Sequence, residues 1–467
     1  MTPTPKNSKE KANVQYALKS IHFDRVRDPT FLSEMKNEID LLKRLDHPNV
    51  VRAVETFDYK SQIFMVLELC SGGDLHSRDP YNENDACRII CSVLNAVEYM
   101  HGRYVTHRDL KYENIMFTSN RPDADVKIID FGLSEKYGKS DPNSRKGGVG
   151  TIFTMAPEAF SGNYEFKSDV WSVGVIAFML LSSQIPFYAK DKPKVVRKIL
   201  TCRYRMKEKA WKNVSDAARD FVKSLLKVDP ETHPSAIFAL QDPWLEFVLQ
   251  EGATAPEDVL RNIQKSMCKY AGYSTLKKLA LMVVSHKSTS KEIGSLGKAF
   301  HQFDANRDGF ITFEEFEEGL GVDCGYDLEE LMEMFHGADL DGTGVLHYTE
   351  FLAATIEARG VIGRERLAEA FDRLDSDDSG YISTENLREI LGHLPNDLID
   401  EIIEEADLNN DHQISYDEFL AMWEGDGEED DGGDDGDEMG SGGVKGKVLL
   451  NNGNSAIMTE SETSAES

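Results

Sequence analysis

Four acidic twelve-residue loops, beginning at Asp304, Asp339, Asp375 and Asp407, constrain this chain more than any other feature. They recur with a period of roughly 35 residues and are flanked by helix-period apolar patterns, so the second half reads as helix–loop–helix units arranged in pairs. Such a loop encloses a cation with oxygen ligands at positions 1, 3, 5, 7 and 9. It turns at position 6 on a residue tolerating positive φ and closes with a bidentate glutamate at position 12.

The first loop offers Asp304, Asn306, Asp308, the Phe310 carbonyl, Thr312 and Glu315 around Gly309. The second offers Asp339, Asp341, Thr343, the Val345 carbonyl and Glu350 around Gly344. Both sets are complete for Ca2+, and Ile311 and Leu346 stand where adjacent loops pair as a short ladder. The third has Asp375, Asp377, Ser379 and the Tyr381 carbonyl, but Asn386 replaces the closing glutamate and offers one neutral oxygen where two charged ones are wanted. It is expected to bind calcium weakly or not at all in isolation. The fourth has Asp407, Asn409, Asp411, the Gln413 carbonyl and Glu418, with His412 at the turn position. A side chain there costs on the order of 1 kcal/mol of backbone strain, a modest loss of affinity. One such loop alone is an ordinary solvated acidic turn; four together read as a calcium-binding array in which the altered two can serve as structural partners.

The first half carries a different chemistry. His107-Arg108-Asp109, Asn114, Asp130-Phe131-Gly132 and Ala156-Pro157-Glu158 occur in that order. Moving a γ-phosphoryl group needs positioning and charge neutralisation rather than covalent chemistry. Asp109 suits the orientation of an acceptor hydroxyl, and Asp130 with Asn114 suits the holding of Mg2+ against phosphates. Lys19, in a run that reads as a strand from Val14 to Ile21, suits a grip on the phosphates of ATP. Glu38, in a helical stretch from about Pro29 to Leu45, suits the holding of Lys19. Each residue alone is an unremarked surface charge, but the ordered set is specific.

This set resembles a eukaryotic protein kinase domain over residues 14 to about 247, with Asp169-Val170-Trp171 and Pro243-Trp244 matching its helical lobe. The resemblance implies a bilobal α+β fold. Lys111 and Gly150-Thr151 point to the serine/threonine branch, Lys111 neutralising the transferring group and Thr151 supporting Asp109. Leu67 becomes the gatekeeper, Glu68 and Cys70 the backbone contacts to adenine, and Asp74 and Glu113 two carboxylates facing a peptide groove. Protein substrates with a basic residue upstream of the target hydroxyl follow from those two acids through charge-assisted hydrogen bonds.

Three departures stand out. No Gly-x-Gly-x-x-Gly precedes Lys19, and residues 1–18 contain no glycine, so the small lobe is incomplete and the start reads as truncated. His233 stands where the family pairs an arginine with Glu158, and an imidazole pairs more weakly than a fixed guanidinium. The segment from Leu133 to Met155 offers Ser134, Ser140, Ser144 and Thr151 but only Asp141 as an acidic stand-in for a phosphate.

Between the halves, Arg261, Lys265, Lys269, Lys277, Lys278 and Lys287 interleave with Ile263, Met267, Leu276, Leu279 and Ala280, a basic amphipathic pattern that suits a groove. The expected organisation is a kinase domain over 1–247, an autoinhibitory junction over 248–292, four calcium hands over 293–424, and an acidic tail over 425–467 too polar to fold. This arrangement resembles the calcium-dependent protein kinases of plants and protists. It implies that the junction blocks the kinase at rest and is bound by the hands on calcium loading.

The bulk properties agree. A net charge of −30 argues against nucleic acid as a partner, since phosphate contact wants a basic face. Six cysteines without paired metal spacing suit a reducing cytoplasm, and no apolar run approaches a membrane span. Against the enzyme reading stands a catalytically weak calcium-responsive pseudokinase scaffold, favoured if the glycine loop is truly missing.

Overall fold

The computed structural model describes residues 15–22, 29–60, 62–136, 151–245, 257–320, 325–391 and 396–424. The expected glycine-free start, Ser140, Asp141, Ser144, Gly150 and the acidic tail lie outside them.

Among the described residues a three-stranded antiparallel sheet comes first: β1 (Tyr16–His22), β2 (Ala53–Tyr59) and β3 (Gln62–Glu68), in the order β1-β3-β2. The central strand β3 alternates, burying Ile63 and Met65. Lys19 pairs with Met65 in register. Helix α1 (Pro29–Arg44) ends on Lys43 and Arg44, cations that complement the carbonyl end of the helix. It places Glu38 in the interior, 3% exposed, facing β1.

The larger lobe is built around two helices. In α2 (Glu83–Gly102) the Asn82 side chain accepts the Asp85 N–H as N-cap, and Glu83 and Asp85 load the first turn with negative charge. Ile90, Leu94 and Val97 recur at helical spacing and are fully buried. In α3 (Phe166–Ser182), apolar residues occupy nearly every face because the helix runs through the lobe's centre. Gly174 permits its crossing, since a Cβ there would lie 2.8 Å from the Leu225 Cβ.

The junction is two helices, Glu257–Ala271 and Thr275–Lys287. The expected single basic face is corrected here. Lys277 and Lys278 are buried, and each ammonium is satisfied by a backbone carbonyl: Lys277 Nζ by Met422 O at 3.2 Å, Lys278 Nζ by Ala271 O at 3.1 Å. The long stems pack as apolar surface while the charge answers helix-end carbonyls. Ile263, Met267, Leu276 and Ala280 are fully buried against the calcium hands. Among the described residues no helix is long and apolar enough to cross a membrane.

Candidate active site and calcium loops

The fold gathers the scattered catalytic set. Lys19 Nζ lies 2.6 and 2.7 Å from the two Glu38 oxygens and 3.4 Å from Asp130 Oδ1, so one ammonium links the small sheet, α1 and the Asp-Phe-Gly segment. Phe131 is fully buried and its ring meets His107 edge-on at 4.9 Å, which fixes Asp130 in the left-handed region at φ 62°.

Asp109 is held from three sides. Its Oδ1 accepts from the Thr151 backbone at 2.9 Å and hydroxyl at 2.8 Å, and its Oδ2 lies 2.5 Å from Lys111 Nζ. Lys111 Nζ also donates to Thr151 Oγ1 at 3.1 Å. Asn114 donates its amide N–H to the Asp109 carbonyl at 2.9 Å and carboxylate at 3.2 Å, which leaves the amide oxygen to serve a cation. Beneath this loop lies buried Asp169, not given a role by sequence reasoning. It accepts the backbone N–H groups of His107 and Arg108, each at 2.9 Å, with His101 Nε2 at 3.0 Å. Burial alone would raise its carboxyl pKa, but His101, His107 and these N–H donors outweigh burial and lower it. The signal was present: an Asp-Val-Trp in the first turns of a largely apolar helix is an acid bound for the interior.

Arg108 finds its counter-charge within the chain, in the carboxylate of Glu135, which sequence reading passed over in favour of Asp141. The expected Glu158–His233 contact is absent. Glu158 Oε1 accepts from Ser168 Oγ at 2.6 Å, while His233 Nε2 meets the Lys227 carbonyl at 2.7 Å and its ring leans on Trp171. The Glu158 carboxylate is met by a neighbouring hydroxyl, and an imidazole, without the permanent charge of a guanidinium fork, packs against an aromatic ring instead.

The residues of the hinge that joins the small sheet to the larger lobe, Leu67 to Cys70, face two ways. Leu67 pairs with Ala17 and Ala53 at the end of β3. Cys70 is buried, its thiol pushed up to about 12 by burial and by Glu68. Glu68 sends its carboxylate behind the hinge to Lys127 at 2.7 Å and Arg52 at 4.0 Å. Those two cations overcome burial and hold the acid below the usual carboxylate range. Asp74 caps the short helical turn Leu75–Arg78 by accepting the Ser77 N–H at 3.1 Å, and Glu113 lies exposed, 3.7 Å from His76.

The calcium loops adopt their turn geometry. In each, the position-1 aspartate accepts the position-6 N–H: Asp304 from Gly309 at 3.0 Å, Asp339 from Gly344 at 2.9 Å, Asp375 from Gly380 at 2.7 Å and Asp407 from His412 at 2.8 Å. His412 takes the left-handed conformation at φ 61°. Further inside loop one, Asn306 Oδ1 and Asp308 Oδ1 accept the Asp308 and Phe310 N–H groups. Glu315, Glu350 and Glu418 close their loops on backbone N–H groups at position 3 or its neighbours. In loop two Thr343 Oγ1 donates to the Val345 carbonyl and Asp341 Oδ1 accepts the Thr343 N–H. The third loop differs: Asn386 turns its NH2 toward Asp377 Oδ1 at 3.3 Å, a donor where a cation would sit. Ser379 Oγ spans Asp375 and the Tyr381 carbonyl, and in loop four Asp411 accepts the Gln413 N–H. Asn409 bonds both Asp407 and Glu418. Paired ladders join Ile311 to Leu346 and Tyr381–Ser383 to Gln413–Ser415.

Carboxylates crowd these loops. Burial, then Asp308 and Glu315, push Asp304 up to about 8; burial and Asp341 push Glu350 up to about 7. Such groups fit a bound hard cation.

Loop one also packs against the catalytic domain. Phe310 lies under Arg103, which caps the C-terminus of α2, at 4.2 Å, and Arg307 Nη1 donates to Cys91 Sγ at 3.2 Å. Ser290 and the junction's end grip the hinge's reverse side: Arg52 Nη1 donates to Ser285 O at 3.1 Å and Tyr16 OH to Lys287 O at 3.0 Å.

Comparison with known proteins agrees with this geometry. A protein kinase domain model matches residues 5–245, and an EF-hand domain pair model matches residues 295–356 and again 364–424. Calcium-dependent protein kinase 20 of Oryza sativa subsp. japonica is 33% identical over 419 residues, spanning 87% of this chain and 75% of that protein. Calcium-dependent protein kinase 7 of Arabidopsis thaliana is 33% identical over 423 residues, spanning 87% and 77%. Calcium-dependent protein kinase 5 of Plasmodium falciparum is 31% identical over 425 residues, spanning 88% and 73%. With a phosphoryl-transfer site and four EF-hands in one chain, and relatives of that organisation along most of its length, the chain belongs to the calcium-dependent protein kinase family.

Proposed function

We propose that this calcium-activated serine/threonine kinase uses Asp109 to orient the acceptor hydroxyl of a protein substrate. The observation that carries the reading is the Asp109 carboxylate, fixed between Thr151 and Lys111. Mg·ATP, when bound, supplies the phosphoryl group and the metal charge that steadies it. Lys19, held by Glu38, positions the phosphates, and Asp130 with the Asn114 oxygen holds the metal. Lys111 offsets the negative charge that spreads over the group in flight. Leu67, Glu68 and Cys70 line the adenine side through the hinge backbone. Asp74 and Glu113 favour substrates with a basic residue near the target.

The domain plan follows the same reading: a catalytic region to about residue 247, a junction, four hands from about 293 to 424 and a polar tail. We assign the regulation to the junction helices, which the hands enclose through Ile263, Met267, Leu276 and Ala280. Moving from mostly off to mostly on requires about 5 kcal/mol of differential binding, which two complete calcium loops can supply. The free thiols of Cys70, Cys87, Cys91, Cys202 and Cys268 favour a reducing cytoplasm as its setting.

The test is phosphate transfer by the full chain to a serine peptide with upstream arginine, with and without micromolar calcium. Transfer only with calcium is expected, abolished by Asp130→Ala while calcium binding persists. Activity surviving that substitution removes the magnesium assignment, and equal activity on an acidic peptide removes the role of Asp74 and Glu113.

A further inference from the structure

The second calcium loop differs from the other three in one donor. Position 9 is Thr312, Ser383 and Ser415 in loops one, three and four, each a hydroxyl, but His347 in loop two. Calcium is a hard cation served by oxygen, and an imidazole nitrogen adds little to its binding. The same nitrogen is a strong ligand for borderline cations.

The geometry goes further than the substitution. His347 Nε2 lies 3.5 Å from Asp341 Oδ2, and one ligand atom from each of Asp341, His347 and Glu350 falls within 4.8 Å of the others. Two arms of a tetrahedral zinc site, each of about 2.0–2.1 Å, set their donors roughly 3.4 Å apart. Among the described residues this is the group of His, Cys, Asp and Glu side chains that converges so closely. The imidazole is also held in place: its ring packs edge-on against Phe310 at 5.0 Å, and Phe310 is itself pinned under Arg103. Glu350 is buried, and its carboxylate oxygens are aimed by the N–H groups of Leu340 and His347.

We propose that loop two is a site for a borderline divalent cation of the zinc class, bound by Asp341, His347 and Glu350 with water as the fourth ligand. Zinc and calcium then compete for one loop, and the other three remain oxygen-only. The inference rests on reading loop two as a cation loop, and its test separates the two.

Calorimetric titrations of the full chain with zinc and with calcium are compared with those of His347→Ser, which gives loop two the hydroxyl of its neighbours. The variant is expected to lose zinc affinity by about tenfold or more, since loss even of a partner orienting a ligand costs that much. Calcium binding is expected to be kept or tightened, which also shows that the variant loop folds. Zinc-edge X-ray absorption of the parent chain at one equivalent is expected to show a single imidazole that the variant lacks. Unchanged zinc affinity in His347→Ser, or a parent spectrum without imidazole, overturns the proposal while leaving the calcium reading intact. Failure of the parent loop two to take either metal, checked by a null effect of Glu350→Gln on both titrations, overturns the calcium reading as well.

Discussion

Ser290, the first residue of the helix entering the first calcium hand, donates a 2.8 Å hydrogen bond to the Glu68 carboxylate, 222 residues away at the kinase hinge. The same carboxylate accepts the Arg52 N–H at 2.8 Å and pairs with Lys127. Arg52 in turn holds the carbonyls of Ser285 and Ser288 at the junction's end. One buried acid thus joins the nucleotide-side hinge to the regulatory half.

This knot predicts separable effects. Ser290→Ala removes one hydrogen bond to a charged group, about 1.5 kcal/mol, from the arrangement in which the hands enclose the junction, the one expected on calcium loading, and is expected to raise the calcium needed for half activation by up to roughly tenfold. Glu68→Gln leaves two buried cations without their carboxylate and is expected to destabilise the chain by about 3 kcal/mol. Calcium-dependent activity and denaturant unfolding distinguish the two. An unchanged activation midpoint in Ser290→Ala would show that the contact carries no coupling.

Gly309 and Gly344 occupy the same turn position in loops one and two, at φ 83° and 80°. A Cβ on Gly309 would meet the Tyr99 ring at 2.2 Å, whereas nothing lies within 4 Å of one on Gly344. Both alanine substitutions cost about 1 kcal/mol of backbone strain. Only Gly309→Ala is expected to loosen the hand from α2, seen as faster hydrogen exchange around Tyr99. Equal exchange in the two variants would show that the docking is not limited by this contact.

Asn386→Glu restores a charged closing ligand to the third loop and removes the NH2 that faces Asp377. Calorimetry is expected to register a tighter calcium event in the C-terminal pair. No change would mean that loop three is structural whatever its twelfth residue.

Asp304 and Glu350 are lifted to about 8 and about 7 by burial and neighbouring acids. A raised carboxyl pKa stabilises the metal-free fold fully below the ordinary carboxylate range near 4, and that stability is lost as pH rises through about 7 to 8. Calcium requires both groups ionised, so affinity is expected to climb over the same window, with proton release on binding. Titrations at about pH 6 and about pH 8.5, in buffers of different ionisation enthalpy, read both quantities. Affinity independent of pH, without proton release, would refute the assignment of these two acids to the metal.

Local sequence determined much of this protein. Ligand spacing defines the four loops, including the neutral amide of Asn386 where a glutamate closes the others, because a loop's ligands are contiguous in the chain. The order of Lys19, Glu38, Asp109, Asn114 and Asp130 is likewise enough to name the chemistry, since each role demands one residue type. Apolar pattern places strand β1 and helix α1 within about two residues of their observed ends. What depended on contacts between distant segments was not legible. Lys277 and Lys278 read as a basic face, yet helix-end carbonyls at Met422 and Ala271 made burial affordable. Glu135 answers Arg108, and Ser168 rather than His233 answers Glu158. A side chain's charge is written in the sequence, but its partner is chosen by whichever group the packed chain brings within hydrogen-bond reach, and only the tertiary structure decides that.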